Sequence, residues 1–96
     1  MKNLDTVKKI LQEHDADLKR RFKVKSLGIF GSYVRGEQEF QSDIDLLVEF
    51  SEPVGWEFID LKDYLEDLLG MEVDLVTPNA LRKHLKETIL NEVVYL

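Results

Sequence analysis

The sequence predicts a layered α/β domain in the order αβαβαβα, with a mixed sheet of three or four strands flanked by helices. Three observations predict it. Apolar residues recur at helical spacing in three long segments, shorter apolar runs of strand length alternate with them, and glycines punctuate the joins. Ninety-six residues make one domain, 1–96, with room for a single core.

From Asn3 to about Phe22, apolar Leu4, Val7, Ile10, Leu11, Leu18 and Phe22 mark one amphipathic helix. Lys19, Arg20 and Arg21 suit its negative C-terminal pole, which outweighs a phosphate-binding reading of that cluster. Val24 to Phe30 reads as the first strand, running into Gly31. Ser32 to about Glu37 allows one or two helical turns, closed by Gly36. Ile44 to Phe50 is apolar almost throughout, as a strand central to a sheet should be. Phe58, Ile59, Leu61, Leu65, Leu68 and Leu69 mark a second long helix that stops at Gly70, with Trp56 at its start as a core or interface anchor. Met71 to Val76 is the third strand. Thr77 as N-cap and Pro78 at the first helical position open a last helix, and the tail "NEVVYL" favours a short strand through Val93, Val94 and Tyr95.

Topology then brings chemistry together. The segment Ile44 to Val76 is a βαβ unit, so its two strands are parallel and start at one edge. Asp43 and Asp45 lie two apart and share a face, and Asp74 lies near the start of the third strand. If the strands are neighbours, the three aspartates meet. Gly31 and Ser32 reach the same edge only if the first strand runs antiparallel to the second, and the short segment from Gly31 to Ser42 allows that. Converging carboxylates repel one another, and a hard divalent cation relieves that repulsion: Mg²⁺, two ions bridged by Asp43 and Asp45, or Mn²⁺. Opposite them, Gly31 permits close backbone approach, and Ser32 begins a helix whose N–H groups and hydroxyl suit phosphate oxygens. The pair of elements would grip a nucleoside triphosphate from two sides.

Composition limits the partners. Thirteen basic against nineteen acidic residues give a net charge of −6, which argues against a broad grip on nucleic acid. The chain lacks cysteine, so it has neither disulfide nor thiolate metal site. It shows no apolar run long enough for a membrane and no apolar leader, so a cytoplasmic protein is expected. His14 and His84 sit on helices without convergent partners and read as ordinary residues. Arg35 either reaches a phosphate or pairs with an acidic neighbour such as Glu37 or Glu39, and its spacing does not choose.

Gly31-Ser32, ten intervening residues, Asp43-x-Asp45 and a later Asp74 form a specific constellation, carried by "GSYVRGE", "SDIDLLVEF" and "VDLVT". It resembles the minimal nucleotidyltransferases of the polymerase-beta superfamily over essentially the whole chain. The resemblance implies the polymerase-beta-like fold, Mg²⁺ on Asp43, Asp45 and Asp74, triphosphate contacts from Gly31 and Ser32, and Asp74 nearest the acceptor hydroxyl. It further implies a HEPN-type toxin as partner in a hetero-oligomer, with AMP passing from ATP to a tyrosine of that toxin and this chain as antitoxin. Val34 stands where an alanine is common, a minor departure. An acceptor supplied by a partner surface fits a chain of this length. The alternative class is an antitoxin that neutralises its partner by contact alone, against which the three crowded carboxylates argue. A two-carboxylate glycosidase is a distant third, since side chains two apart on a strand lie too close. The apolar tail from Ile89 to Leu96 either meets the partner or packs on its own sheet.

Overall fold

A computed structural model of the chain describes residues 3–39 and 43–96. Two N-terminal helices, α1 (Leu4–Glu13) and α2 (Asp15–Phe22), lead into β1 (Val24–Phe30), the short α3 (Ser32–Arg35), β2 (Ile44–Phe50), the long α4 (Trp56–Leu69) and β3 (Val73–Val76). A 3₁₀ turn (Pro78–Ala80), α5 (Lys83–Glu92) and a two-residue β4 (Val94–Tyr95) complete it. The four strands form one sheet in the order β3-β2-β1-β4. As expected, β1 is antiparallel to β2, and β2 is parallel to β3 across the α4 crossover.

Alternation along the strands gives the sheet two unlike faces. Ile44, Leu46 and Val48 of β2 join Leu27 and Ile29 of β1 and Val73 and Leu75 of β3 in one core cluster with Val7, Leu11, Leu18, Phe22, Leu61, Leu65 and Leu69. Helices α1, α2 and α4 therefore cover that face. The other face carries Asp45 and Asp74, which are register partners across β2 and β3. Burying one face thus fixes both aspartates on the other, because a one-residue slip would exchange them for leucine or valine.

Three local expectations are corrected. The single N-terminal helix is two, broken at His14, whose Nδ1 lies 2.9 Å from the Ile10 carbonyl oxygen and whose backbone (φ −108°, ψ 12°) is non-helical. Val7, Leu11, Leu18 and Phe22 are buried on both sides of the break, so the apolar pattern runs through it. Thr77 makes no side-chain cap, and Pro78 opens a 3₁₀ turn, with α5 starting only at Lys83. Trp56 is 78% exposed, so it anchors no core. The basic cluster behaves as ordinary helix surface: Lys19 pairs with Asp15, Arg20 with Asp17, and Arg21 lies over the rings of Phe22 and Tyr64. Ser42 of the second motif lies outside the described residues.

The tail packs on its own sheet. β4 pairs antiparallel with β1, the Leu96 N–H donates to the Leu27 carbonyl (3.1 Å), and Leu96 packs against the core. Gly28 makes room for it: a Cβ there would stand 2.5 Å from Val93 Cγ2 and 3.1 Å from the Tyr95 ring. Gly28→Val should therefore detach β4 and cost about 1 to 3 kcal/mol. Denaturant titration measures the loss, and hydrogen exchange should show the Leu96 amide deprotected ahead of the central β2 amides.

Candidate active site

Phe30 ends β1 opposite Asp45, and Asp45 in turn pairs with Asp74 on its other side. Asp45 is therefore held between two strands at the edge where the Gly31 turn begins. The contact there is close. A Cβ built on Gly31 would collide with the Asp45 carboxylate, meeting its Oδ2 and standing 3.0 Å from Cγ. Gly31 also has φ 79° and ψ −150°, a conformation that side chains strongly disfavour. Two independent reasons thus require glycine. The expected role, leaving space for phosphate, is joined by another: leaving space for the aspartate.

After Gly31 the chain turns at once into α3. The Val34 and Arg35 N–H groups both donate to the Gly31 carbonyl (3.1 and 3.2 Å), and Gly36 in the left-handed region closes the helix, as expected. Tyr33 plants the turn on the core: it is buried, and its hydroxyl donates to Met71 Sδ (3.4 Å). Val34 also packs against the core cluster, while Ser32 is half-buried and Arg35 exposed.

The carboxylates do not form a closed three-ligand set among the described residues. Asp45 and Asp74 are brought together, whereas Asp43 and Asp74 are exposed. Like charges facing one another without a counter-ion favour such spreading. The crowding nonetheless registers on Asp45, whose pKa is pushed up to about 6. Burial is the main cause, followed by the charge and hydrogen bonding of Asp74 and the charge of Asp43, with Arg35 opposing weakly. An all-oxygen donor set whose central member resists ionisation through burial and neighbouring carboxylates fits a hard divalent cation.

Arg35 is where sequence reasoning found only half the answer. Its Nε donates to Glu37 Oε2 (3.3 Å), the neighbour expected, but its Nη1 donates to Glu92 Oε1 at 2.6 Å. The other oxygen of that carboxylate, Oε2, accepts the Gly31 N–H (2.9 Å). Burial works against ionisation of Glu92, yet the Gly31 N–H and Arg35 outweigh it and hold the carboxyl below its ordinary value. One signal in the sequence was an acidic residue directly preceding an apolar tail. Its partners, 57 and 61 residues away, were not legible.

Residues 7–96 match the nucleotidyltransferase domain family. The protein adenylyltransferase MntA of Thermococcus cleftensis is 47% identical over 100% of this chain and 98% of its own length. A solved structure described as a minimal nucleotidyltransferase superposes with a TM-score of 0.77 at 35% identity, covering 94% of this chain and 95% of that one. A toxin-antitoxin crystal structure with AMP-PNP superposes with a TM-score of 0.70 at 25% identity, covering 88% of this chain and 70% of that one.

The raised Asp45 predicts a sign for metal-free stability. Its folded pKa lies above the unfolded value, so its contribution to stability is fully present below about pH 4 and is lost as pH rises through about 6. Asp45→Asn should therefore stabilise the metal-free protein at pH 8, on the order of 1 kcal/mol after allowance for solvent screening, and confer no gain at pH 3.5. Thermal melts in chelator at both pH values check this.

Proposed function

Because this chain belongs to the nucleotidyltransferase domain family and is a nucleotidyltransferase, we propose that it transfers AMP from ATP to a hydroxyl, a tyrosine, of a HEPN-type toxin and so acts as an antitoxin. The observation that carries the catalytic part is the contact of the Gly31 turn with Asp45, itself paired with Asp74. It joins the two halves of the motif at one sheet edge. The adenylyltransferase name of the Thermococcus relative and the AMP-PNP-bound toxin-antitoxin neighbour support the choice of nucleotide and partner.

In this reading the triphosphate lies on the turn. The Ser32 hydroxyl and Arg35 contact its oxygens, and the bare Gly31 backbone lets them approach. The acceptor oxygen attacks the α-phosphorus in line. A new P–O bond forms as the bond from the α-phosphorus to the bridging oxygen breaks, pyrophosphate leaves, and the acceptor proton passes to Asp74, an exposed carboxylate at the rim. Asp43, Asp45 and Asp74 would hold divalent ions, Mg²⁺ or Mn²⁺, whose charge when bound offsets that building on the phosphoryl oxygens. Phosphoryl transfer asks chiefly for position and electrostatics, so a site with one base candidate suffices.

Co-expression with the product of the adjacent gene, followed by intact-mass analysis, tests the proposal. The partner should gain whole AMP units, and Asp45→Asn should abolish them. An unmodified partner that Asp45→Asn protein still neutralises would overturn transfer in favour of inhibition by contact.

The turn supplies a second, graded outcome. Ser32→Ala removes one hydrogen bond to charged oxygen, so kcat/KM should fall roughly ten- to a hundredfold. Gly31→Val should cost more, because it strikes Asp45 as well as blocking phosphate. Steady-state transfer rates at varied ATP separate the two, and parent-like kinetics in Gly31→Val would remove the triphosphate from this turn.

A further inference from the structure

We propose that Glu92 is a positioning residue for nucleotide transfer: its single carboxylate clamps the Gly31 peptide and Arg35 together, so that the C-terminal strand completes the triphosphate site. This rests on the nucleotidyltransferase reading and assigns the site a component far from its motif.

The geometry begins with the ladder. β4 pairs Val94 with Ile29 and Tyr95 with Gly28. Continued two residues beyond Val94, that antiparallel register sets Glu92 opposite Gly31. The main-chain ladder stops there, and the side chain takes over: Glu92 Oε2 accepts the Gly31 N–H at 2.9 Å. Its Oε1 accepts Arg35 Nη1 at 2.6 Å. A carboxylate bridging both ends of α3 fixes the Gly31 peptide and the guanidinium relative to each other. Glu92 is only 17% exposed, whereas Arg35 is 48% exposed, so the buried partner orients the open one.

The clamp does not exhaust Arg35. A guanidinium carries five N–H donors. Among the described residues Glu92 engages Nη1 and Glu37 engages Nε, so the Nη2 donors are the ones we assign to a phosphate oxygen. The Gly31 N–H that Glu92 takes lies where the ladder ends, and it is distinct from the N–H groups of Ser32 and Tyr33 that begin the helix. Glu92 therefore occupies the structural side of the turn. An arginine held in advance loses less freedom when it meets its ligand.

Isothermal titration calorimetry with ATP and Mg²⁺, alongside transfer kinetics, tests the clamp in the full chain. The panel is Glu92→Ala, Glu92→Gln, Arg35→Ala and the double variant, each melted to show that it folds. Glu92→Ala should weaken ATP binding and raise KM roughly tenfold with a smaller change in kcat. Glu92→Gln, which keeps an acceptor for the Gly31 N–H but loses its charge toward Arg35, should fall between parent and alanine. The double variant should lose less than the two single losses combined, since the part of the Glu92 effect that passes through Arg35 is already gone in Arg35→Ala. Tighter ATP binding by Glu92→Ala would overturn the proposal, because Glu92 would then compete with phosphate for Arg35. Additive losses in the double variant would overturn it as well. Should the parent bind ATP yet transfer nothing to its partner, the transfer reading falls, while the calorimetric cycle still decides on Glu92.

Discussion

The site depends on one contact, the bare backbone of Gly31 against the carboxylate of Asp45. For it to exist, β1 must end where β2 begins, which requires the two strands to run antiparallel in the observed register of Phe30 with Asp45. The chain must then leave the sheet immediately, which the positive φ of Gly31 achieves and Tyr33 secures by burying itself in the core. A side chain at Gly31 would have to move the aspartate or the turn. Neither can move independently of the sheet, because β2 is interior, bonded to β1 on one side and β3 on the other.

The fold carries the cost of that arrangement elsewhere. Asp45 is pushed up to about 6 by burial and by Asp74 and Asp43, so the metal-free edge opposes folding at neutral pH. The opposite face offsets it. Ile44, Leu46, Val48, Leu61, Leu65 and Leu69 are all fully buried there, and burial of a leucine or isoleucine side chain contributes about 1.5 to 3 kcal/mol. The sheet thus separates its residues by parity: even positions of β2 hold the fold, and Asp45 between them faces the candidate site. Strand parity and the parallel βαβ connection together place Asp45 and Asp74 at one edge.

What was legible was whatever local pattern determines. The bounds of β1 and β2, the glycine stops at Gly36 and Gly70, the direction of each strand and the adjacency of Asp45 to Asp74 follow from periodicity and connection length, whereas β3 starts at Val73, two residues later than the apolar Met71 suggested. The break at His14 was not legible, because the buried positions keep a helical rhythm across it and neither glycine nor proline marks it. Lys23 likewise closes α2 in the left-handed region (φ 59°) where the sequence offers no glycine. Its carbonyl is tied to the Ser51 N–H (2.8 Å), and its ammonium meets Glu52 and Glu57 across the sheet end, so tertiary contacts override the local preference. Glu92 is the same case inside the site. Nothing near it in sequence needs it, and only the pairing of β4 with β1 brings it to Gly31.

Electrostatics decide what kind of ligand such a site receives. Asp45 feels the charges of Asp43 and Asp74 on one side and only weakly that of Arg35, which is already paired with Glu37 and Glu92. The field at this edge is therefore negative, in a chain whose net charge is −6. A bare triphosphate would be repelled on approach, and Arg35 is too well neutralised to attract it from a distance. The same arginine remains effective at contact range, where direction of its unused donors matters more than net charge. Under the proposed function, attraction would come with the nucleotide, as divalent cations it carries, and the carboxylates that repel the free anion would receive its metal complex. In that reading, a site of this sign would favour a metal-bound nucleotide over free nucleotide by charge alone, before any base is read.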